Sequence, residues 1–236
     1  MRKLIDILFI YLPLTFLILS FSAVLVYKWV PVTWTPLMLK RALQNQDDKE
    51  YSNTQVWVDL EYVDQHLIKA ILSAEDQRFY MHKGFDLVEL KKMKKEHESD
   101  GKKLRGCSTI SQQVAKNCFT FCSNTFIRKG IEAYFTILIE ALWSKERILE
   151  VYLNIAETGK GIFGVEAVCQ KYFRSSSSDI TPSDAAAIAC VLPNPLKYTP
   201  YNVLNTHHSK YSRIVSTLTL SKSICDGKIA LNKGFK

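Results

Sequence analysis

Apolar residues are distributed along this chain in two regimes. From Ile7 to Tyr27 the sequence ILFIYLPLTFLILSFSAVLVY runs 21 residues without a charge, and about 20 suffice to cross the hydrocarbon of a bilayer. Downstream the apolar positions become periodic. Leu60, Val63, Leu67, Ile71 and Ala74 recur every three or four residues, which predicts one amphipathic helix. Thr109-Ile-Ser-Gln112 has the form of a capping box and opens a helix with Ile110, Val114 and Cys118 on one face. Ile131, Tyr134, Phe135, Leu138, Ile139 and Leu142 form the clearest helical stripe, a core face. Ile148 to Asn154 continues as helix, and Thr181-Pro182-Ser183-Asp184 opens an alanine-rich helix closed by Pro193. Between these, Lys91 to Arg105 (KKMKKEHESDGKKLR) has almost no apolar period and is expected to be a solvated loop, placed to act as a lid or membrane-surface contact. No strand set or internal repeat is evident. The fold class is mainly α, divided into residues 1–6 as a cytoplasmic N-terminus, 7–27 as a transmembrane anchor, 28–54 as a membrane-proximal linker with a first helix, and 55–236 as the functional domain.

Charge refines this picture. Arg2 and Lys3 precede the apolar run and favour a cytoplasmic N-terminus, while Tyr27, Trp29 and Trp34 suit the far interface. Pro13 is tolerated better in a membrane helix than in a soluble one. Ser20-Phe21-Ser22 resembles a signal-peptide cleavage site, but apolar residues continue through Val26, which favours an uncleaved anchor. The expected location is therefore the bacterial cytoplasmic (inner) membrane, single-pass, with the domain on its periplasmic, extracytoplasmic side. A formal net charge of +8 calls for an anionic partner. An extracytoplasmic domain argues against nucleic acid and leaves lipid headgroups or a diphosphate substrate. Six cysteines, Cys107, Cys118, Cys122, Cys169, Cys190 and Cys225, contain no Cys-x-x-Cys spacing, so a zinc site is not expected. Most read as small buried hydrophobes, with pairing open.

Two short matches are decoys. Gly159-Lys-Gly161-Ile-Phe-Gly164 spells a dinucleotide-binding fingerprint without the strand-turn-helix context that motif needs, so its glycines should shape a tight loop. Ser99-Asp-Gly-Lys102 spells an acyl-transfer signature without its companion motifs. The stretch AEDQRFYMHKGFD, Ala74 to Asp86, crowds functional groups behind an apolar helix, with Glu75 at the rim of the core. Glu132 lies one residue from the apolar stripe, and Arg128 precedes it by four residues on the same face. Lys116 follows Gln112 by one turn and Gln113 by nearly one. Singly these are ordinary features; Arg128–Glu132, for instance, is a common helix pair. Together, a pair of carboxylates, several cations and amide side chains suit glycosyl transfer from a phosphate-linked donor. One carboxylate takes the proton of the attacking hydroxyl and the cations neutralise the departing phosphate.

At this point a family resemblance becomes specific. EDQRFYMHKG (Glu75 to Gly84), GCSTISQQVAKN (Gly106 to Asn117), RKGIE (Arg128 to Glu132) and SKERILEVYLN (Ser144 to Asn154) resemble, in order, the signatures of the peptidoglycan glycosyltransferases, glycosyltransferase family 51. GIFGVEA, KYF and VLPNP also fit, so the likeness covers roughly residues 55–200. With one anchor and no room for a penicillin-binding domain, it implies a monofunctional member with a lysozyme-like helical domain lying against the membrane. That domain would polymerise lipid II onto a growing glycan strand, alongside other cell-wall synthases. The resemblance implies that Glu75 is the general base. Lys116, Arg128 and Lys129 would meet the diphosphate, and Glu132 would assist by orienting these groups or through a divalent ion such as Mg or Mn. Asp76, Arg78, His82, Ser108, Gln112 and Gln113 would line the cleft; no cofactor is required. Two positions depart from the family: Cys107 replaces a small residue, and Asn124 stands where relatives often carry an arginine. Two rivals remain, a lysozyme-type glycan-cleaving enzyme and an inactive cell-wall scaffold.

Overall fold

The computed structural model describes residues 7–49, 51, 53–101, 108–120 and 126–220. Cys107, Cys122, Asn124 and Cys225 lie outside them. The apolar run is one helix from Ile7 to Tyr27, wound as π-helix over Ile7–Tyr11 and as α-helix α1 over Leu12–Tyr27. Phe9, Leu12, Leu14 and Leu19 are exposed. The mean hydropathy of Phe9–Tyr27 is 2.3, long and apolar enough to cross a membrane.

The helix is bound to the rest of the protein. Trp143 Nε1 donates to the Val24 carbonyl at 2.8 Å. Arg147 donates to the Tyr27 carbonyl at 2.8 Å and the Val30 carbonyl at 2.6 Å. Ser20 Oγ and the Tyr134 hydroxyl share a hydrogen bond of 2.7 Å. The stretch expected to link anchor and domain is also folded down. Thr35 caps helix α2 (Pro36–Gln44), accepting from the Met38 amide, and Asn53 Nδ2 holds the Met38 carbonyl.

The body is built from α3 (Gln65–Glu75), α4 (Leu87–Asp100), α5 (Ile110–Phe119), α6 (Phe126–Leu142), α7 (Lys145–Ile155), α8 (Pro182–Val191) and α9 (His208–Leu220). The stripe beginning at Leu60 is broken: Leu60–Tyr62 forms a 3₁₀ turn and α3 starts only at Gln65. Asp64 accepts from the His66 amide there, and a side-chain cap sets a helix start more firmly than apolar spacing does. α5 carries the full capping box, with Thr109 and Gln112 bonding each other's backbone amides. From Ala185 to Val191, α8 is buried on all sides because its alanines let α3 and α9 pack close. α5 lies against α6 and α7, and α2 against α5. Leu67, Ile71, Ile110, Ile139, Ile148 and Leu153 fill the core between them.

The structure corrects two further expectations. Of the run expected to be loop, residues 91–100 are helical, as the greater part of α4, and residues 102–105 lie outside those described. Asp86 caps that helix by accepting from the Val88 and Glu89 amides, and Lys94–Glu98 sits one turn apart on its surface. Gly101, at φ 62°, ends it in the left-handed region. Helix can thus form without an apolar stripe when caps and charge pairs supply local support. Strands also exist, though each is two or three residues long: Thr54–Gln55 (β1), Glu157–Gly159 (β2) and Ile162–Phe163 (β3), in the order β1-β3-β2 with β1 parallel and β2 antiparallel to β3. Such lengths are too short for an alternating pattern to register. The glycine-rich decoy is the turn of the β2–β3 hairpin and its exit.

Glu166, in the short helix Val165–Val168, accepts hydrogen bonds from the Ser177 amide at 2.7 Å, Gln170 Nε2 at 2.7 Å and Ser176 Oγ at 3.2 Å. Burial alone would raise this carboxyl, but the bonds from Ser177, Gln170 and Ser176 outweigh it, and its pKa lies below the ordinary glutamate value. A lowered folded pKa stabilises the fold above the unfolded value and ceases to do so as pH falls through the folded one. Glu166→Gln should therefore melt below wild type near pH 7, with the gap closing as the pH is lowered past the glutamate range. Equal gaps in thermal melts at about pH 7 and about pH 3 would contradict this. Among the described residues Cys118, Cys169 and Cys190 are buried free thiols, and burial pushes Cys169 up to about 12, so it stays protonated.

Candidate active site

Glu75 is the last residue of α3, so an apolar helix carries its carboxylate to the edge of the core. Gln113 of α5 donates to its Oε2 at 3.0 Å, and Lys210 of α9 places Nζ 4.0 Å from its Oε1. The Tyr152 hydroxyl, from α7, donates to Gln113 Oε1 at 3.4 Å. Burial first, then the Glu75 and Asp76 carboxylates, hold Tyr152 well above the usual tyrosine value, so it remains a donor. The Gln113 amide is thereby oriented, its oxygen toward a hydroxyl and its NH₂ toward a carboxylate. Four helices meet at one carboxylate.

Glu132 occupies a second station. It is 3% exposed and shares the buried face of α6 with Phe135, Thr136 and Ile139. Its near-absence from solvent is an adjustment to the sequence reading, which set it beside the core stripe. Arg128 Nη1 binds its Oε1, and Lys129 Nζ sits 2.9 Å from its Oε2. A carboxylate so buried needs this pairing, and in return it fixes two cations at the N-terminal end of α6. Lys116, from α5, has no ion-pair partner among the described residues.

Both stations open into one cleft of about 1090 Å³, lined also by Ser108, Gln112, Lys116 and Asn117. Gln112 commits its amide oxygen to the Thr109 cap, leaving its NH₂ for a ligand. Asp76, Arg78 and His82 do not line this cavity. Asp76 is buried, accepting from His82 Nε2 at 3.0 Å and from the Ile110 amide at 2.9 Å, so it joins the end of α3 to the start of α5. Arg78 pairs with Asp86 at 3.0 Å, beside the start of α4. Asp76 and His82 thus brace the elements that carry Glu75 and Gln113.

The cleft also holds residues that sequence reasoning passed over: Arg41, Tyr152, Glu157, Lys210 and Arg213. Tyr152 lay in a segment read only as helix, and Lys210 and Arg213 are one turn apart in a segment with no recognised motif. Six cations, Arg41, Lys116, Arg128, Lys129, Lys210 and Arg213, face three carboxylates, Glu75, Glu132 and Glu157. This excess suits an anionic ligand. Both Glu132 oxygens meet cations, and no group of three or more His, Cys, Asp or Glu side chains that could hold a metal ion exists among the described residues.

A helical body with three carboxylates and a surplus of cations in one cleft is suited to transfer from an anionic, phosphate-linked donor. Residues 40–219 match the family described as transglycosylase, and the chain belongs to that family. Its relatives include biosynthetic peptidoglycan transglycosylases from Bdellovibrio bacteriovorus, 47% identical over 78% of this chain and 74% of the relative, and from Bacteroides thetaiotaomicron, 45% identical over 75% and 71%. A third, from Haemophilus influenzae, is 43% identical over 75% of this chain and 73% of its own.

Proposed function

We propose that this protein polymerises peptidoglycan glycan strands from lipid II, a reading supported by its relatives, which bear the name biosynthetic peptidoglycan transglycosylase. The observation that carries the reading is the pair of stations in one cleft: Glu75 held by Gln113 and Lys210, and Arg128 and Lys129 around Glu132, with Lys116 lining the same cleft. Glu75 accepts the proton of the 4-hydroxyl of the acceptor's N-acetylglucosamine. That oxygen forms a bond to C1 of the N-acetylmuramic acid at the end of the donor strand, from the face opposite the leaving group. The C1–O bond to the diphosphate breaks with inversion, its electron pair stays on the departing undecaprenyl diphosphate, and the cations meet the charge that develops there. Glu132 acts as a positioning residue through Arg128 and Lys129, and Ser108 and Gln112 supply polar contacts at the cleft wall. Asp76 and His82 serve indirectly by fixing α3 against α5, and Arg78 by its pair with Asp86 at the start of α4.

The helix from Ile7 to Tyr27 would anchor the protein in the cytoplasmic membrane, with the cleft on the outer side, where the lipid-linked substrate presents its sugars. A hydrolase of lysozyme type needs a carboxylic acid for the leaving oxygen and has no use for a cation cluster. The test is conversion of purified lipid II to strands on a gel by the detergent-solubilised protein; a folded enzyme that makes none overturns the reading. Lys116→Met should lower kcat/KM by about 10- to 100-fold, the range expected for losing a hydrogen bond to a charged group. An unchanged kcat/KM would remove Lys116 from the site.

A further inference from the structure

Tyr152 has no step in the chemistry above, yet it is joined to the base. It lies in the last turn of α7, is 1% exposed, and reaches the cleft wall beside Glu75 and Gln113. Its ring thus offers a ligand almost no surface. Among the described residues its hydroxyl has one hydrogen-bond partner, Gln113 Oε1 at 3.4 Å. Catalytic hydrogen bonds of this length commonly tighten when substrate binds. Gln113 in turn commits its NH₂ to Glu75 Oε2 at 3.0 Å. Glu75 Oε1 accepts no hydrogen bond among the described residues, and its ion-pair partner Lys210 stands 4.0 Å away.

Resting on the glycan-polymerase reading, we propose that Tyr152 is a positioning residue that acts through Gln113 to direct the acceptor's proton to Oε1 of Glu75. A side-chain amide can lie either way round. Turned over, Gln113 would point its oxygen at the carboxylate, a contact tolerable only if Glu75 already held a proton and could take no other. Tyr152 opposes that turn. A buried hydroxyl needs an acceptor for its proton, and burial, with the Glu75 and Asp76 carboxylates behind it, keeps this one protonated. Against a turned amide its O–H would meet an NH₂ group and lose its acceptor. With Glu75 ionised, one arrangement therefore gives every donor an acceptor: Tyr152 O–H to the Gln113 oxygen, and Gln113 NH₂ to Glu75 Oε2. Oε2 is then occupied and Oε1 is the oxygen without a donor. The O–H bond of the 4-hydroxyl breaks toward Oε1, and its electron pair becomes available for the new bond to C1.

The experiment is a double-mutant cycle in the full-length, detergent-solubilised protein: wild type, Tyr152→Phe, Gln113→Met and the double variant. Each is read for kcat and KM with lipid II, with a thermal melt as a fold check. Tyr152→Phe keeps the ring and removes only the hydroxyl. It should lower kcat by about 5- to 10-fold with KM changed less than about 2-fold. Gln113→Met should cost more, and adding Tyr152→Phe to it should change kcat by less than about 2-fold, because the path is already cut. Effects that multiply in the double variant, a raised KM at unchanged kcat, or a Tyr152→Phe enzyme equal to wild type each overturn the proposal. If Gln113→Met is too unstable to read, the split between kcat and KM in Tyr152→Phe decides. A second readout needs no turnover. The Gln113 side-chain amide signal in NMR, identified by its loss in Gln113→Met, should move in Tyr152→Phe as it does in Glu75→Gln. An unmoved signal overturns the proposal; a moved signal with an inactive wild type keeps the chain of bonds and overturns the polymerase reading alone.

Discussion

Glu75→Gln is expected to reduce strand synthesis by about 10²- to 10⁴-fold, the usual contribution of a positioned general base. The substitution is nearly isosteric and keeps an acceptor oxygen for the Gln113 amide. What it removes is the capacity to take a proton, and with it the anionic partner of Lys210. Folding should be intact, since Glu75 lies at the cleft edge and no hydrogen bond to the core depends on its charge. Binding of lipid II should persist, because Lys116, Arg128 and Lys129 are untouched. The measurement is turnover at saturating lipid II alongside a thermal melt. A variant within a few-fold of wild type would mean that another group accepts the proton.

Gly164→Ala should be the most damaging small substitution, costing about 3 kcal/mol or more and lowering the melting temperature by roughly 6–12 °C. Gly164 has φ 83° and ψ 164°, a region open in practice only to glycine. A Cβ there would lie 2.6 Å from the Asn154 carbonyl oxygen and 3.1 Å from its carbon, so backbone would have to move. Asn154 has little room to yield. Its side chain accepts from the Val58 amide and donates to the Val58 and Glu150 carbonyls, each at 2.8 Å, and its own carbonyl accepts from Gln55. Tyr152, two residues earlier on α7, would shift with it and disturb the Gln113–Glu75 contact. Activity should thus fall even in the folded fraction. A melt unchanged by the substitution would contradict this account.

The sequence was most legible where one face decides everything. The apolar run, the α5 capping box, the α6 stripe and the alanine-rich α8 follow from local pattern, and the structure has them all. Membership of the transglycosylase family was legible from motifs in order. Less legible were features set by partners distant in sequence. α4 depends on caps and surface charge pairs, so apolar spacing misread it. Glu132 takes a core position that only Arg128 and Lys129 make tolerable. Asp76 and His82 sit within the motif that supplies Glu75, yet they turn inward to bind each other and α5. Arg41 and Lys210 reach the cleft through packing of α2 and α9, which no spacing within those helices announces.

The hydrogen bonds from Trp143 and Arg147 to the backbone at Val24, Tyr27 and Val30 have a mechanical consequence. With the apolar helix in a bilayer as proposed, the catalytic body is not a tethered float. It is mounted at a set height and tilt. Because α6 carries both the contact to Ser20 and the cluster around Glu132, a change in bilayer thickness that tips α1 would be transmitted to the Arg128–Lys129 end of the cleft. Lipid thickness would then act as a gauge on turnover, with no sensor beyond the joint itself.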